Sequence, residues 1–233
     1  MVRVALWMGR LAGAVLPPVV AYHMYHTSYY LYPSSSAYSS SSPTGGLHPI
    51  GQGPLEYTLY ATDSTTVTSH TFLKDNKHWS LLYFGFAKCA EICPSNVRYM
   101  ADVSKALLGG GPSSSENISL AVAFVTLDPH RDSLSQLEAF LKQHSAQYLS
   151  GLPTRFIGYR GDDASTKAIA QSWKVYFSVP DDATPESEYQ MDHSSFVFLV
   201  SPKGKFVDFF TKDMPPEQAA DKIRLHAAGC YDS

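Results

Sequence analysis

Acidic side chains are absent from the first fifty residues, whose only formal charges are Arg3 and Arg10. Over the whole chain 18 basic side chains stand against 21 acidic ones; without those two arginines the remainder is 16 against 21, or −5. A mildly acidic body lacks the basic footprint that nucleic acid requires, which argues against such a partner. Cysteine is scarce as well, with three in 233 residues. Two of them, Cys89 and Cys93, stand close together, and Cys230 is left over near the end. It is read as incidental, with intermolecular pairing as its alternative role. A chain of this length has room for one domain and a tail.

A clean membrane span is also missing. A full span needs about 20 residues of low polarity. The run from Leu11 to Tyr32 reaches that length only across Pro17 and Pro18 and by including His23, His26, Thr27 and Ser28. Arginines without acids ahead of LAGAVLPPVVAY nevertheless resemble a targeting presequence or an export signal merging into a membrane anchor. Residues 1–32 are therefore expected to be a targeting segment and anchor, with Tyr22, Tyr25, Tyr29, Tyr30 and Tyr32 at the membrane interface. A wholly cleaved segment is the alternative. Residues 33–46, PSSSAYSSSSPTGG, have too little apolar surface to fold and read as a flexible Ser-rich linker. Residues 47–233 carry the globular domain.

That domain is organised around LLYFGFAKCAEICPSNVRYMADV, residues 81–103. The unbroken apolar run Leu81 to Phe86 suits a strand buried on both faces. Pro94 suits the first turn of a helix, and Val97, Met100, Ala101 and Leu108 continue at roughly helical spacing. Cys93 is thus expected at a helix N-terminus, where the dipole favours its thiolate. Three residues between two cysteines, one more than in the usual dithiol redox loop, leave room for a metal ion between the sulfurs and still permit a disulfide. Two buried cysteines that merely pack are the bland alternative.

Further along, Leu55 to Ala61 and Thr65 to Thr71 suggest an N-terminal β-hairpin. Leu120 to Thr126 is a second continuous apolar strand, so strand, helix and strand form a βαβ unit with a parallel pair. Thr126-Leu127-Asp128-Pro129-His130-Arg131-Asp132 leaves its carboxyl end. Helices are expected at Leu134 to Leu141 and at Ala164 to Trp173, with a short strand at Phe156 to Tyr159 between them. Residues 194–210 read as a hairpin turning on Pro202 and Gly204, and Pro215 opens a final helix. A parallel core joined to a terminal hairpin and helix is a thioredoxin-like α/β fold. In that topology the loop entering the penultimate strand passes over the cysteine loop, which singles out His193 in Met191-Asp192-His193-Ser194. The other eight histidines, 23, 26, 48, 70, 78, 130, 144 and 226, are read as ordinary solvated side chains.

From about Gly53 to His226 the chain resembles the SCO family of copper proteins, also called SenC. LLYFGF, the CxxxCP signature, TLDPHRD, KVYFSVP, MDHS and FLVSPKG all carry the likeness, in the family's order and at its separations. The resemblance implies a membrane-tethered copper chaperone for cytochrome c oxidase assembly. It implies that Cys89, Cys93 and His193 bind copper. Two thiolates and an imidazole are a soft set suited to Cu(I), and able to hold Cu(II) with a further ligand; zinc normally takes four. Ala90 and Glu91 stand where the family commonly has Pro and Asp, and Lys88 where it often has His or Thr. These departures bear on partner recognition. Asp128 is expected on the correct side of the sheet to support a ligand or face a partner, or else to be a turn residue ahead of Pro129. Asp192 is open to the same two readings.

Two functions are implied. One is a metallochaperone that takes copper from a small donor chaperone and passes it to the binuclear copper site of cytochrome c oxidase subunit two. The other is a thiol-disulfide oxidoreductase that uses a redox-active Cys89–Cys93 disulfide to keep that subunit's cysteines reduced; a redox or copper sensor is a variant of it. The acid-free N-terminus together with the resemblance implies the mitochondrial inner membrane, with the domain in the intermembrane space. A bacterial-type inner membrane facing the periplasm is the alternative. The sequon Asn117-Ile118-Ser119 would be unused there.

Overall fold

The structure, a computed structural model, describes residues 48–229 apart from 76, 110–117, 148–151 and 181. The expected anchor, the linker, Asn117 and Cys230 lie outside the described residues. Among those described, no helix is long and apolar enough to cross a membrane.

Two parallel strand pairs form the middle of the sheet. β3 (His78–Gly85) runs beside β4 (Ser119–Thr126), and β4 beside β5 (Arg155–Arg160). Most of β3 and β4 is buried, because helices cover both faces of a parallel sheet and leave no wet side. The N-terminal hairpin β1 (Thr58–Ala61) and β2 (Thr66–Thr68) extends one edge, with β1 antiparallel to β5. β2 ends three residues before the sequence pattern does. At Thr68 the chain turns, the Phe72 amide donating to the Thr68 carbonyl at 2.8 Å, and Leu73 takes a φ of 55°. The other edge carries β8 (Val197–Val200), antiparallel to β3, and β9 (Phe206–Phe210). The order β2-β1-β5-β4-β3-β8-β9 is thus a mixed sheet with the expected parallel core and terminal hairpin.

Four helices among the described residues complete the layers: α1 (Ile92–Leu108), α2 (Leu134–Ser145), α3 (Asp163–Ser172) and α4 (Pro216–Ala227). Their starts follow local chemistry. Ser133 and Gln136 form a reciprocal capping box for α2, and the Asp162 carboxylate accepts from the Ser165 amide at 2.7 Å to open α3. In the core, Phe84, Trp173 and Phe198 meet as tilted and edge-on rings 5.7–6.4 Å apart. One small element escaped the sequence pattern. β6 (Phe177–Ser178) pairs with β7 (Asp192–His193) as a separate two-stranded ladder, with Phe177 opposite His193. Two residues are too few for alternation to register as a strand.

Candidate metal centre

Cys89 and Cys93 lie just beyond the carboxyl end of β3, where the chain turns into α1. Gly85 at that end is required by close approach, since a Cβ there would lie 2.7 Å from the Cys93 sulfur. Cys93 is the second residue of α1 and is fully buried; Cys89 is half-buried in the loop before it. Both are free thiols. The N-cap residue Glu91 makes no side-chain cap. The Cys89 sulfur accepts from the Cys93 amide instead, at 3.4 Å, in the place a capping oxygen normally takes.

This reverses the expectation that the helix dipole favours a thiolate at Cys93. Burial pushes the Cys93 thiol far up, and the bond with Cys89 and that residue's charge add to it. The Cys93 thiol, by hydrogen bonding, draws Cys89 down to about 3; burial opposes this, and His193 with the Cys93 and Glu91 amides reinforces it. The helix N-terminus therefore does favour a thiolate, but on the cysteine whose sulfur faces the amides from outside. The one inside the first turn has its sulfur buried, which disfavours its charged form.

His193 arrives from the far side on β7. Its Nδ1 is 2.9 Å from the Ser194 carbonyl, which can only accept, so Nδ1 carries the proton and Nε2 keeps a lone pair. Nε2 is 3.4 Å from the Cys93 sulfur. Phe86 and Tyr83 meet the imidazole edge-on at 5.8 and 6.0 Å and fix its plane. Tyr83 also donates to the Cys93 sulfur at 3.7 Å, and Asn96 donates to the Tyr83 oxygen at 3.3 Å. The structure thus brings together the three residues singled out in the sequence. Cys93 and His193 touch, and Cys89 lies beside both. Among the described residues no three His, Cys, Asp or Glu side chains are placed so that they could hold a metal ion as they stand: Cys93 and His193 meet, and Cys89 would have to close in on them. Cys89 opens onto a cleft of about 580 Å³ that Lys88, Arg98, Gln136 and His144 help to line.

The segment Thr126–Asp132 does something its sequence did not reveal: it fastens both arms of the site. Asp132 accepts from the Ala87 amide at 2.8 Å, two residues before Cys89, and from the Thr126 hydroxyl at 2.6 Å. Arg131 donates to Asp128 at 2.5 Å and to the carbonyls of Ser187 and Tyr189 at 3.4 and 3.1 Å, on the approach to His193. Its guanidinium lies 3.2 Å from the centre of the Tyr189 ring, whose hydroxyl donates to Asp128 at 2.9 Å. Asp128, 2% exposed, is a turn residue and the buried counter-ion of Arg131. Asp192 is exposed on β7. Arg131 and Asp132 were legible as a motif, but their roles depend on bonds 45 to 58 residues distant in sequence.

Of the other histidines, His70, His78 and His130 pair with surface carboxylates. His226 departs from the solvated reading. Its side chain is 8% exposed, with Nε2 3.2 Å from Asp208, because α4 packs that face onto β9. His23 and His26 lie outside the described residues.

Comparison with known proteins gives the chain's family and fold. The SCO1/SenC family model matches residues 51–228. The chain is 33% identical over 148 residues to the mitochondrial SCO1 protein of Saccharomyces cerevisiae, an alignment covering 64% of this chain and 46% of the yeast protein. It therefore spans less than half the length of that relative. The crystal structure of yeast Sco1 with copper bound superposes with a TM-score of 0.60 at 28% identity, over 78% of this chain and 90% of the other. Copper-bound ScoI of Arabidopsis thaliana gives 0.60 at 26% identity, over 75% and 97%. The chain belongs to the SCO1/SenC family.

Proposed function

We propose that this protein carries copper as cargo for the assembly of cytochrome c oxidase, holding the ion through Cys89, Cys93 and His193. The observation that carries the reading is the contact between the Cys93 sulfur and a His193 Nε2 whose lone pair is kept free by the Nδ1 bond to Ser194. Two donors 3.4 Å apart fit around one ion, since metal–nitrogen and metal–sulfur bonds of about 2.0 and 2.3 Å at a tetrahedral angle span roughly 3.5 Å. The third donor, Cys89, already favours its thiolate. Cys93 does not, so capture of the ion has to displace its proton, and uptake should release a proton and weaken in acid. Sulfur with imidazole suits Cu(I), and the nitrogen makes Cu(II) tolerable. Copper-bound relatives of the same fold support the choice of ion.

The recipient under this reading is the binuclear copper site of cytochrome c oxidase subunit two, and the donor a small copper chaperone. The setting is the mitochondrial inner membrane, with residues 1–32 as anchor, 33–46 as linker and the domain in the intermembrane space. Relatives named as mitochondrial support that setting.

The asymmetry of the cysteines favours a second reading, thiol-disulfide exchange with the same subunit. The accessible Cys89 thiolate would attack a partner disulfide and release one partner thiolate. Cys93, giving up its proton, would then attack the mixed disulfide. The products are the Cys89–Cys93 disulfide and a fully reduced partner, two electrons having passed between them. His193 separates the readings, because exchange needs no imidazole ligand. The test is oxidase assembly in cells carrying only His193→Ala, with copper content and thiol state measured on the anaerobically purified protein. Failed assembly with normal dithiol reactivity and normal protein level supports the chaperone; normal assembly removes it and leaves the reductase.

A further inference from the structure

The loop holding Cys89 and the segment leading to His193 are joined directly by one exposed side chain, Gln190. Its amide oxygen accepts from the Ala90 amide at 3.4 Å, and its amide nitrogen donates to the Lys88 carbonyl at 3.4 Å. The two ends of one carboxamide thus bracket Cys89, reading the peptide groups on either side of it as a neighbouring strand would. A second, weaker link joins the same segments, the Lys88 ammonium lying 3.6 Å from the carboxylate of Glu188, whose side chain is largely in solvent. Three residues beyond Gln190, His193 begins its contacts with Cys93.

We infer that Gln190 is a positioning residue, a clasp that fixes the backbone of Cys89 against the histidine arm so that sulfur and imidazole can close on one ion. The inference rests on the copper reading of the same site. The physical need is specific. Cys93 is held by burial in α1 and His193 by its ladder and its carbonyl bond, but Cys89 sits in a half-exposed loop. Of the three donors it has the most freedom to lose, and ordering it beforehand lowers the cost of capture. Gln190 supplies that order without touching the metal or either sulfur. Two long hydrogen bonds at the surface add little to global stability, so the clasp should be visible in the site and not in the melt.

The test compares the full chain with Gln190→Met, which keeps the volume and removes both bonds, and with Gln190→Glu, which keeps the acceptor for Ala90 and loses the donor to Lys88. Gln190→Met is expected to melt with the native protein and to retain Cu(I). Its Cu(II) retention should fall about tenfold, the usual scale for losing an outer support of a metal ligand. Its thiolate-to-Cu(II) absorption should shift, and the Ala90 amide should exchange hydrogen faster. Gln190→Glu should fall between the two. A Gln190→Met protein with native Cu(II) retention, native absorption and native Ala90 exchange overturns the clasp. A native chain that takes up no copper through its two cysteines and histidine refutes the copper reading alone. Ala90 exchange then still decides the clasp: faster in Gln190→Met upholds it, and unchanged overturns it.

Discussion

His193 and His226 are both imidazoles tucked against the domain, each with a nitrogen committed to a neighbour, and they are built for different ends. His193 donates to a backbone carbonyl and turns its free nitrogen to a sulfur. His226 turns Nε2 to the Asp208 carboxylate, which is 2% exposed and also bound by Lys222 at 2.7 Å. Burial pushes the Asp208 carboxyl up, yet His226, Lys222 and the Phe209 amide outweigh it and hold the carboxyl below the usual range. One histidine turns a ring nitrogen to the site, and the other is tied into a charge cluster. What a histidine can do is decided by which partner takes its other nitrogen, a fact that residue type does not carry.

The largest effect that could break this comparison is on copper. Cys89→Ser and Cys93→Ser should each abolish tight Cu(I) binding, and His193→Ala should strip Cu(II) far more than Cu(I) with little change in melting. His226→Ala should leave copper stoichiometry untouched. Full copper occupancy in Cys89→Ser, measured by metal analysis after anaerobic dialysis, would refute the site.

Next in size is the buried ion pair behind the site. Arg131→Met leaves the Asp128 carboxylate buried without its counter-ion, a change that typically costs about 3–5 kcal/mol. Urea unfolding reads it. Because Arg131 also holds the carbonyls of Ser187 and Tyr189, Cu(II) retention should drop with it. Loss of stability with native copper retention would separate the buttress from the site.

At the opposite pole the effect is smaller. His226→Ala removes one bond to a charged acceptor that Lys222 still neutralises, and should cost about 1–2 kcal/mol in the same assay. An unchanged unfolding midpoint would return His226 to the class of solvated histidines.

The smallest and sharpest contrast is in pH. Asp208 has a folded pKa below its unfolded one. Its stabilisation is therefore complete above the ordinary carboxylate range, near pH 4, and is lost as pH falls through the lowered value. Asp132, beside the site, is displaced the other way: burial raises its carboxyl and the charge of Asp128 adds to that, against the bonds from Thr126 and Ala87. One of its oxygens is buried without a hydrogen-bond partner among the described residues. Its contribution is complete below the ordinary range and is lost as pH rises through the raised value. Asp208→Asn should flatten the acid limb of a stability-against-pH curve, and Asp132→Asn the limb above the carboxylate range. Parallel curves for the native protein and both variants would overturn the assignment.

The sequence by itself determined the strands β3 and β4, the helices, the terminal hairpin and the reactive pair Cys89 and Cys93, whereas His193 was singled out by the expected topology and the family resemblance. Apolar runs, helical spacing, Pro94 and the soft chemistry of sulfur and imidazole are properties of a residue and its near neighbours, so they can be read without a fold. Tertiary structure decided the rest. Which cysteine carries the thiolate depends on where each sulfur faces, and the first turn of α1 buries Cys93 while capping itself with Cys89. The free nitrogen of His193 meets its sulfur across 100 residues of chain, and Asp132 reaches Ala87 across 45. The β6–β7 ladder is two residues long and has no periodicity to detect. Bonds of that reach form only after the sheet has brought the ends of β3 and β4 and the segment before β8 to one edge, and no local pattern encodes them.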